Sequence, residues 1–298
     1  MAYDPTIFLG TAAYYARGRP GYSRELVPTL AAELGLDGSG RMLDVGCGPG
    51  VLALAFANHF AEVIALDPNP EMLAEGARRA GQAGITNTRW VQALAEDLAA
   101  LELGQFRLVT FGQSFHWTDR ERVAEMVYDM LAPGGALALI WHEHAERPRP
   151  SDLSYLPLPD MHADLPRPNR SSEPPIPHEL IRALIARYLG PQRRAGQGFA
   201  TFSHERFEET LARTRFGAPR QILCPGRPDI LQDVDGVIAN YFSMSFAAPH
   251  LFGDRLAEFE AELRAELATR SASGLFWDWP GDTGIVLATK PSDQPSFA

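Results

Sequence analysis

The thirty residues from Arg41 to Pro70, RMLDVGCGPGVLALAFANHFAEVIALDPNP, constrain the fold of this chain more than any other stretch. Met42 to Val45 is a short apolar run that breaks into glycines at 46, 48 and 50. Helix-compatible apolar spacing follows from Val51 to Phe60, and a second apolar run, Glu62 to Asp67, ends on an acid. Strand, turn, helix and strand in that order close as a parallel pair with a right-handed crossover.

The same unit points to a ligand. Glycines 46, 48 and 50 let backbone approach a bound group where a Cβ would obstruct it. The following helix presents its first amides there. Asp67, at the carboxyl end of the second strand, is placed to accept hydrogen bonds from two ribose hydroxyls. A dinucleotide fingerprint would put a third-turn glycine at position 51, where the chain has Val51. Asp44, just before the first glycine, would repel a pyrophosphate and attract an ammonium or sulfonium. A nicotinamide-dependent oxidoreductase is therefore disfavoured. The site favours a nucleoside carrying positive charge, and S-adenosylmethionine fits.

The rest of the chain extends the alternation. Strands are expected at Thr88–Gln92, Phe106–Phe111 and Ala136–Trp141. A helix is expected from about Pro70 to Ala80, and another from Asp119 to Leu131 that stops at the APGG sequence. From Pro148 to Pro177 there are nine prolines, an irregular crossing segment. Helical spacing returns at Glu179–Leu189, Arg206–Ala212, Leu231–Phe246 and Asp254–Ala268. Ala218–Leu223 and Thr283–Thr289 are β-rich enough to complete a sheet edge. GLFWDWPGD, from 274 to 282, reads as an edge turn. The expected architecture is α/β: a Rossmann-like, seven-stranded, mostly parallel sheet with helices on both faces and an inserted, mainly helical cap. Residues 1–144 would form the cofactor-binding core with an N-terminal flap. Residues 145–298 would supply the cap, about 145–200 and 231–270, plus the terminal strands of the core sheet.

Composition narrows the partners. A formal net charge of -10 leaves no broad phosphate-neutralising surface, so no nucleic-acid partner is expected. No run approaches the length of a membrane span, so no membrane partner is expected either. The start of the chain lacks the pattern of a signal peptide. Two cysteines, Cys47 and Cys224, make no disulfide framework, and a reducing, cytoplasmic setting follows. Subunit number stays open, a homodimer included.

LDVGCGPG together with IALDPNPEML resembles the class I S-adenosylmethionine-dependent methyltransferases. YYARGRPGY, ALAEDL and FGQSFHW resemble their small-molecule branch, which includes trans-aconitate methyltransferase-like enzymes. The likeness covers roughly residues 10 to 142. It implies that Asp44, Gly46, Cys47, Gly48 and Gly50 lie against the methionine part of the cofactor and that Asp67, followed by Pro68, holds the ribose. It implies that Asn69, Met72, Ala95 and Glu96 flank the adenine, with Leu94 where many relatives carry a polar residue. Tyr15 and Arg19 would come from the flap, the arginine suited to the cofactor's carboxylate. Gln113 would contact the methionyl end. The implied activity is methyl transfer to a small-molecule acceptor, leaving S-adenosylhomocysteine.

Several residues admit two readings. His116 is a candidate base or orienter of the acceptor, or a histidine that fixes its loop. Trp117 is a candidate pocket wall. His142 and His144 share a strand face and could line the acceptor site; two histidines without a third ligand make no metal site, so none is expected. Tyr241, Met244 and His250 are further pocket candidates, although most of their stretch reads as the buried face of a cap helix. Cys47 reads as packing rather than as a nucleophile. Fold alone does not separate methyl transfer from a non-methylating enzyme, a cyclase or isomerase, or a regulatory module that binds the same cofactor.

Overall fold

The computed structural model describes residues 4–143, 172–196, 198–199 and 205–292. Five parallel strands form its centre: β1 (Arg41–Val45), β2 (Glu62–Asp67), β3 (Thr88–Gln92), β4 (Phe106–Gly112) and β5 (Leu131–Glu143). The chain then adds two short hairpin strands, β6 (Arg194–Ala195) and β7 (Gly198–Phe199), before β8 (Arg220–Cys224) joins the main sheet. A separate ladder pairs β9 (Ile230–Asp233) with β10 (Leu275–Asp278), and β11 (Asp282–Thr289) inserts antiparallel between β5 and β8. The main sheet has the seven strands, mostly parallel, that the sequence led us to expect, in the order β3-β2-β1-β4-β5-β11-β8.

Parallel strands are buried on both faces, and the apolar alternation shows it. Met42, Val63 and Leu108 point to one core, while their neighbours Leu43, Ile64 and Val109 point to the other. The first core is closed by α2 (Leu26–Glu33), α3 (Val51–Phe56) and α4 (Pro70–Ala83); the second by α5 (Arg120–Met130) and the short α7 (Phe207–Ala212). A third core lies apart from the sheet. There α6 (His178–Leu189), α8 (Val234–Phe242) and α9 (Leu256–Ala268) gather around Phe242, Phe252, Phe259 and Phe276, all 4% exposed or less. Phe252 and Phe259 stack with ring centroids 4.2 Å apart. The flap helix α1 (Ala12–Gly18) packs on α8 so closely that a Cβ on Gly18 would sit 2.1 Å from the Asn240 amide nitrogen.

Three local expectations are corrected. The spacing from Leu231 to Phe246 is not one helix, because Asp233 caps α8: its carboxylate accepts from the Gly236 amide at 2.6 Å, and the residues before it extend as β9. The aromatic stretch after Gly274 is not a turn over its first half, since Leu275–Asp278 pairs with β9 across a long sequence gap. The APGG stretch does not lie outside the sheet. It bulges within β5 between the pairs Phe106–Leu131 and Leu108–Ala136, and α5 ends one residue earlier, at Met130. Among the described residues no helix is long and apolar enough to cross a membrane.

Candidate active site

Strand order reverses beside β1, whose neighbours β2 and β4 carry connections running to opposite sides, and ligands of open α/β sheets bind at the carboxyl ends there. A cavity of about 230 Å³ opens at that point. Asp67 stands on its wall, 8% exposed. One carboxylate oxygen accepts the Gly48 amide at 2.8 Å and the other the Asn69 amide at 2.9 Å. Burial raises its pKa above the ordinary carboxylate value, and those two amides pull the other way. A carboxylate has about four lone-pair sites, so each oxygen keeps one for a ligand hydroxyl.

The glycines divide their work. Gly48, at φ +52°, has open space where a Cβ would stand, and it lines the cavity. Gly46 also lines it and packs against Ser114, whose hydroxyl donates to the Val45 carbonyl at 2.6 Å. Gly50 does something else: a Cβ there would lie 2.6 Å from the Trp90 ring, so this glycine serves packing away from the cavity.

Of the other residues expected at the cofactor, Tyr15, Pro68, Met72, Ala95, Glu96 and Gln113 line the cavity. Phe8, Leu94 and Met72 make one end apolar, and Trp117 stands at the same end, edge-on to Phe8 with centroids 6.0 Å apart. Glu96 accepts the Asp119 amide at 2.9 Å, which fixes that wall.

Four residues are engaged elsewhere. Asn69 caps α4, accepting from the Glu71 amide at 2.8 Å, and donates to the Phe8 carbonyl at 3.2 Å; it holds the flap rather than lining the cavity. Arg19 donates from Nε to the Ser243 hydroxyl at 2.8 Å and lies 5.1 Å above the Tyr15 ring. Asp44 is 1% exposed, with its carboxylate accepting from the Thr110 hydroxyl at 2.8 Å and the Ala53 amide at 3.0 Å. Burial pushes its pKa up to about 7. It borders a much smaller adjoining cavity, together with the buried thiol of Cys47. Both cysteines are free thiols.

The acceptor-side candidates are scattered. His116 sits in a single turn, Phe115–Trp117, half-buried and off the cavity wall. Burial first, then the cations of Arg120 and Arg193, lower its pKa to about 4. A general base works best with a pKa near the working pH, so this imidazole is poorly matched to that task. His142 stacks on Tyr22, centroids 4.8 Å apart. His144 lies outside the described residues. Tyr241 is 3% exposed in the cap core, its hydroxyl 2.8 Å from His178 Nδ1, and Met244 packs against the same core. His250 meets the Leu9 carbonyl at 3.2 Å. Among the described residues no group of three His, Cys, Asp or Glu side chains could hold a metal. Sequence reasoning missed Phe8, Tyr22, Thr110 and Ser114; Tyr22 closes the very stretch, YYARGRPGY, that supplied Tyr15.

The His116 shift has a measurable sign. An unfolded histidine titrates near about 6.5, so the unfolded chain takes up this proton first as pH falls. The contribution of neutral His116 to stability is full above about pH 6.5 and is lost as pH drops toward about 4. Thermal melts across that window should fall more steeply for the wild type than for His116→Gln, and parallel curves would contradict the assignment.

Residues 42–135 match a family model described as a methyltransferase domain. An uncharacterised methyltransferase of Mycobacterium tuberculosis is 32% identical over 145 residues, covering 48% of this chain and 56% of that one. The ubiquinone biosynthesis O-methyltransferase of Psychrobacter arcticus is 37% identical over 110 residues, 36% of this chain and 42% of its own length. The malonyl-[acyl-carrier protein] O-methyltransferase of Enterobacter lignolyticus is 37% identical over 136 residues, 43% and 51% respectively. The chain spans about half the length of the curated relatives it matches. Residues 42–135 match a methyltransferase domain, and they lie on a seven-stranded, Rossmann-like sheet.

Proposed function

We propose that this chain is an S-adenosylmethionine-dependent methyltransferase acting on a small-molecule acceptor by direct in-line transfer. The observation that carries the reading is Asp67 on the cavity wall, its two oxygens steadied by the Gly48 and Asn69 amides with lone pairs to spare for ribose hydroxyls. The open space above Gly48 and the apolar end formed by Phe8, Met72 and Leu94 fit the remaining nucleoside. Bound S-adenosylmethionine supplies a methyl group already activated by a sulfonium, so acid–base chemistry is not the protein's main task.

The chain's own residues then bind, orient and exclude water. Asp67 and Gly48 fix the nucleoside against the sheet, and Tyr15 and Phe8 of the flap cover it. Residues 1–144 hold the cofactor, and residues 145–298 cover the acceptor and complete the sheet. Among the described residues no histidine lines the cavity, which supports positioning over proton abstraction. Two of the matched relatives are named O-methyltransferases, which supports oxygen among the possible acceptor atoms.

The test is incubation with methyl-labelled S-adenosylmethionine and a dialysable metabolite extract. Label recovered in a small molecule, with S-adenosylhomocysteine formed in equal amount, is the expected result. Tight cofactor binding without any transfer would overturn methyl transfer and leave a binding or non-methylating protein.

A further inference from the structure

The glycine turn has a rear face, and α4 supplies it. Met72, Gly76 and Arg79 follow at i, i+4 and i+7, so one stripe of the helix carries all three. Met72 lines the cavity. Gly76 is a notch for the Trp90 ring: a Cβ there would lie 2.3 Å from it, and a Cβ on Gly50 2.6 Å, so the indole has room between helix and turn only because both are glycine. Arg79, half-buried, donates from Nη1 to the Pro49 carbonyl at 2.7 Å. Its neighbour Arg78 turns elsewhere and pairs with Glu75 at 2.7 Å.

The turn from Gly46 to Gly50 is tied down at several points. The Cys47 amide donates to the Leu66 carbonyl at 3.0 Å, the Gly48 amide to Asp67 at 2.8 Å and the Gly50 amide to the Cys47 carbonyl at 3.0 Å. The Pro49 carbonyl belongs to the same peptide unit as the Gly50 amide, so Arg79 fixes that unit from its other end. Among the described residues, Asp67 and Arg79 are the two charged side chains that hydrogen-bond this backbone. The acid stands on the cavity wall; the cation does not line the cavity and holds the turn from behind. A ribose that takes the remaining lone pairs of Asp67 makes ligand and turn share one carboxylate, whereas the Arg79 bond is not contested by the ligand.

Resting on the methyltransferase reading, we propose that Arg79 is a positioning residue for the cofactor: by holding the Pro49 carbonyl it sets where the Gly48 amide meets Asp67, and through that contact the affinity for the ribose.

Calorimetric titration of S-adenosylhomocysteine and 5′-methylthioadenosine, both of which carry the ribose, tests it on the full chain as wild type, Arg79→Met, Asp67→Ala and the double variant. Arg79→Met is expected to weaken both nucleosides equally, by about fivefold, the size of one hydrogen bond of ordinary strength. In the Asp67→Ala background, where Gly48 has no carboxylate to meet, the same substitution should cost less than about twofold, because residues acting through one contact are not additive. Arg79→Lys, which keeps a charged donor, should recover most of the loss, and Arg78→Met should bind as the wild type does. Unchanged affinity in Arg79→Met, whatever its melting temperature, overturns the proposal and leaves Arg79 a stabilising contact only. An equal factor in both backgrounds overturns it too, as does a lysine variant no better than the methionine one or an equal loss in Arg78→Met. A loss confined to S-adenosylhomocysteine would place the effect at the amino-acid end and likewise overturn it. Failure of the wild type to bind either nucleoside removes the methyltransferase reading itself and the proposal with it.

Discussion

Asp67→Ala is expected to weaken S-adenosylmethionine binding by roughly a hundredfold while the protein stays folded. Two hydrogen bonds from ribose hydroxyls to a buried carboxylate are together worth about 3 kcal/mol, which converts to that factor. Stability should move much less. Burial raises the Asp67 pKa, so the folded state holds its proton more firmly than the unfolded chain does. With that sign, the charged carboxylate opposes folding as pH rises above about 4, and its removal relieves a cost at neutral pH. Against this stands the loss of two acceptors for the Gly48 and Asn69 amides, which water in the cavity can replace. Calorimetry beside thermal melts separates the two quantities. A variant that binds as tightly as the wild type would remove Asp67 from the site. One that is unfolded would make it a structural residue.

The second large effect is expected at Gly18→Ala. A Cβ there would lie 2.1 Å from the Asn240 nitrogen and 2.4 Å from the Ala239 carbonyl carbon. Both are backbone atoms of α8, so no rotamer change relieves the contact, and α1 must shift outward. Overpacking of this kind costs about 3 kcal/mol. The same junction carries the Arg19 bond to Ser243 and the Gln232 amide, which donates to the Gly18 carbonyl at 3.2 Å. The shift should therefore loosen α1 and α8 together and displace Tyr15 from the cavity. Urea denaturation reads the stability. Amide exchange reads the location: protection lost in α1 and α8, with the β1–β4 strands unchanged. Uniform loss across the sheet would contradict a local junction.

What could be read in advance was what is local. Asp67 and Gly48 sit within one strand–turn–helix–strand unit, and backbone geometry alone brings them together. That the central strands run parallel followed from the same alternation. Residues of equally suggestive type have other partners in the structure, some of them far along the chain. Arg19 looked like an anion binder, and its Nε and one terminal nitrogen donate to Ser243, 224 positions away. Gly50 looked like part of the cradle, yet it makes room for Trp90. Asn69 followed the acid as expected, but capping α4 and holding Phe8 use its side chain. The β9–β10 ladder escaped notice for the same reason, because each strand is short and its partner is remote. Tyr22 carried no chemical signal of its own; its stacking on His142 and the room left by Gly112 became visible only in three dimensions.

The central claim is that the cavity beside Asp67 holds S-adenosylmethionine, and a single calorimetric experiment addresses it. Wild-type protein is titrated with S-adenosylmethionine, S-adenosylhomocysteine and NAD. Saturable binding of the first two, with no heat from NAD, is the expected result. No binding of either sulfur nucleoside, or binding of NAD with equal affinity, would contradict it.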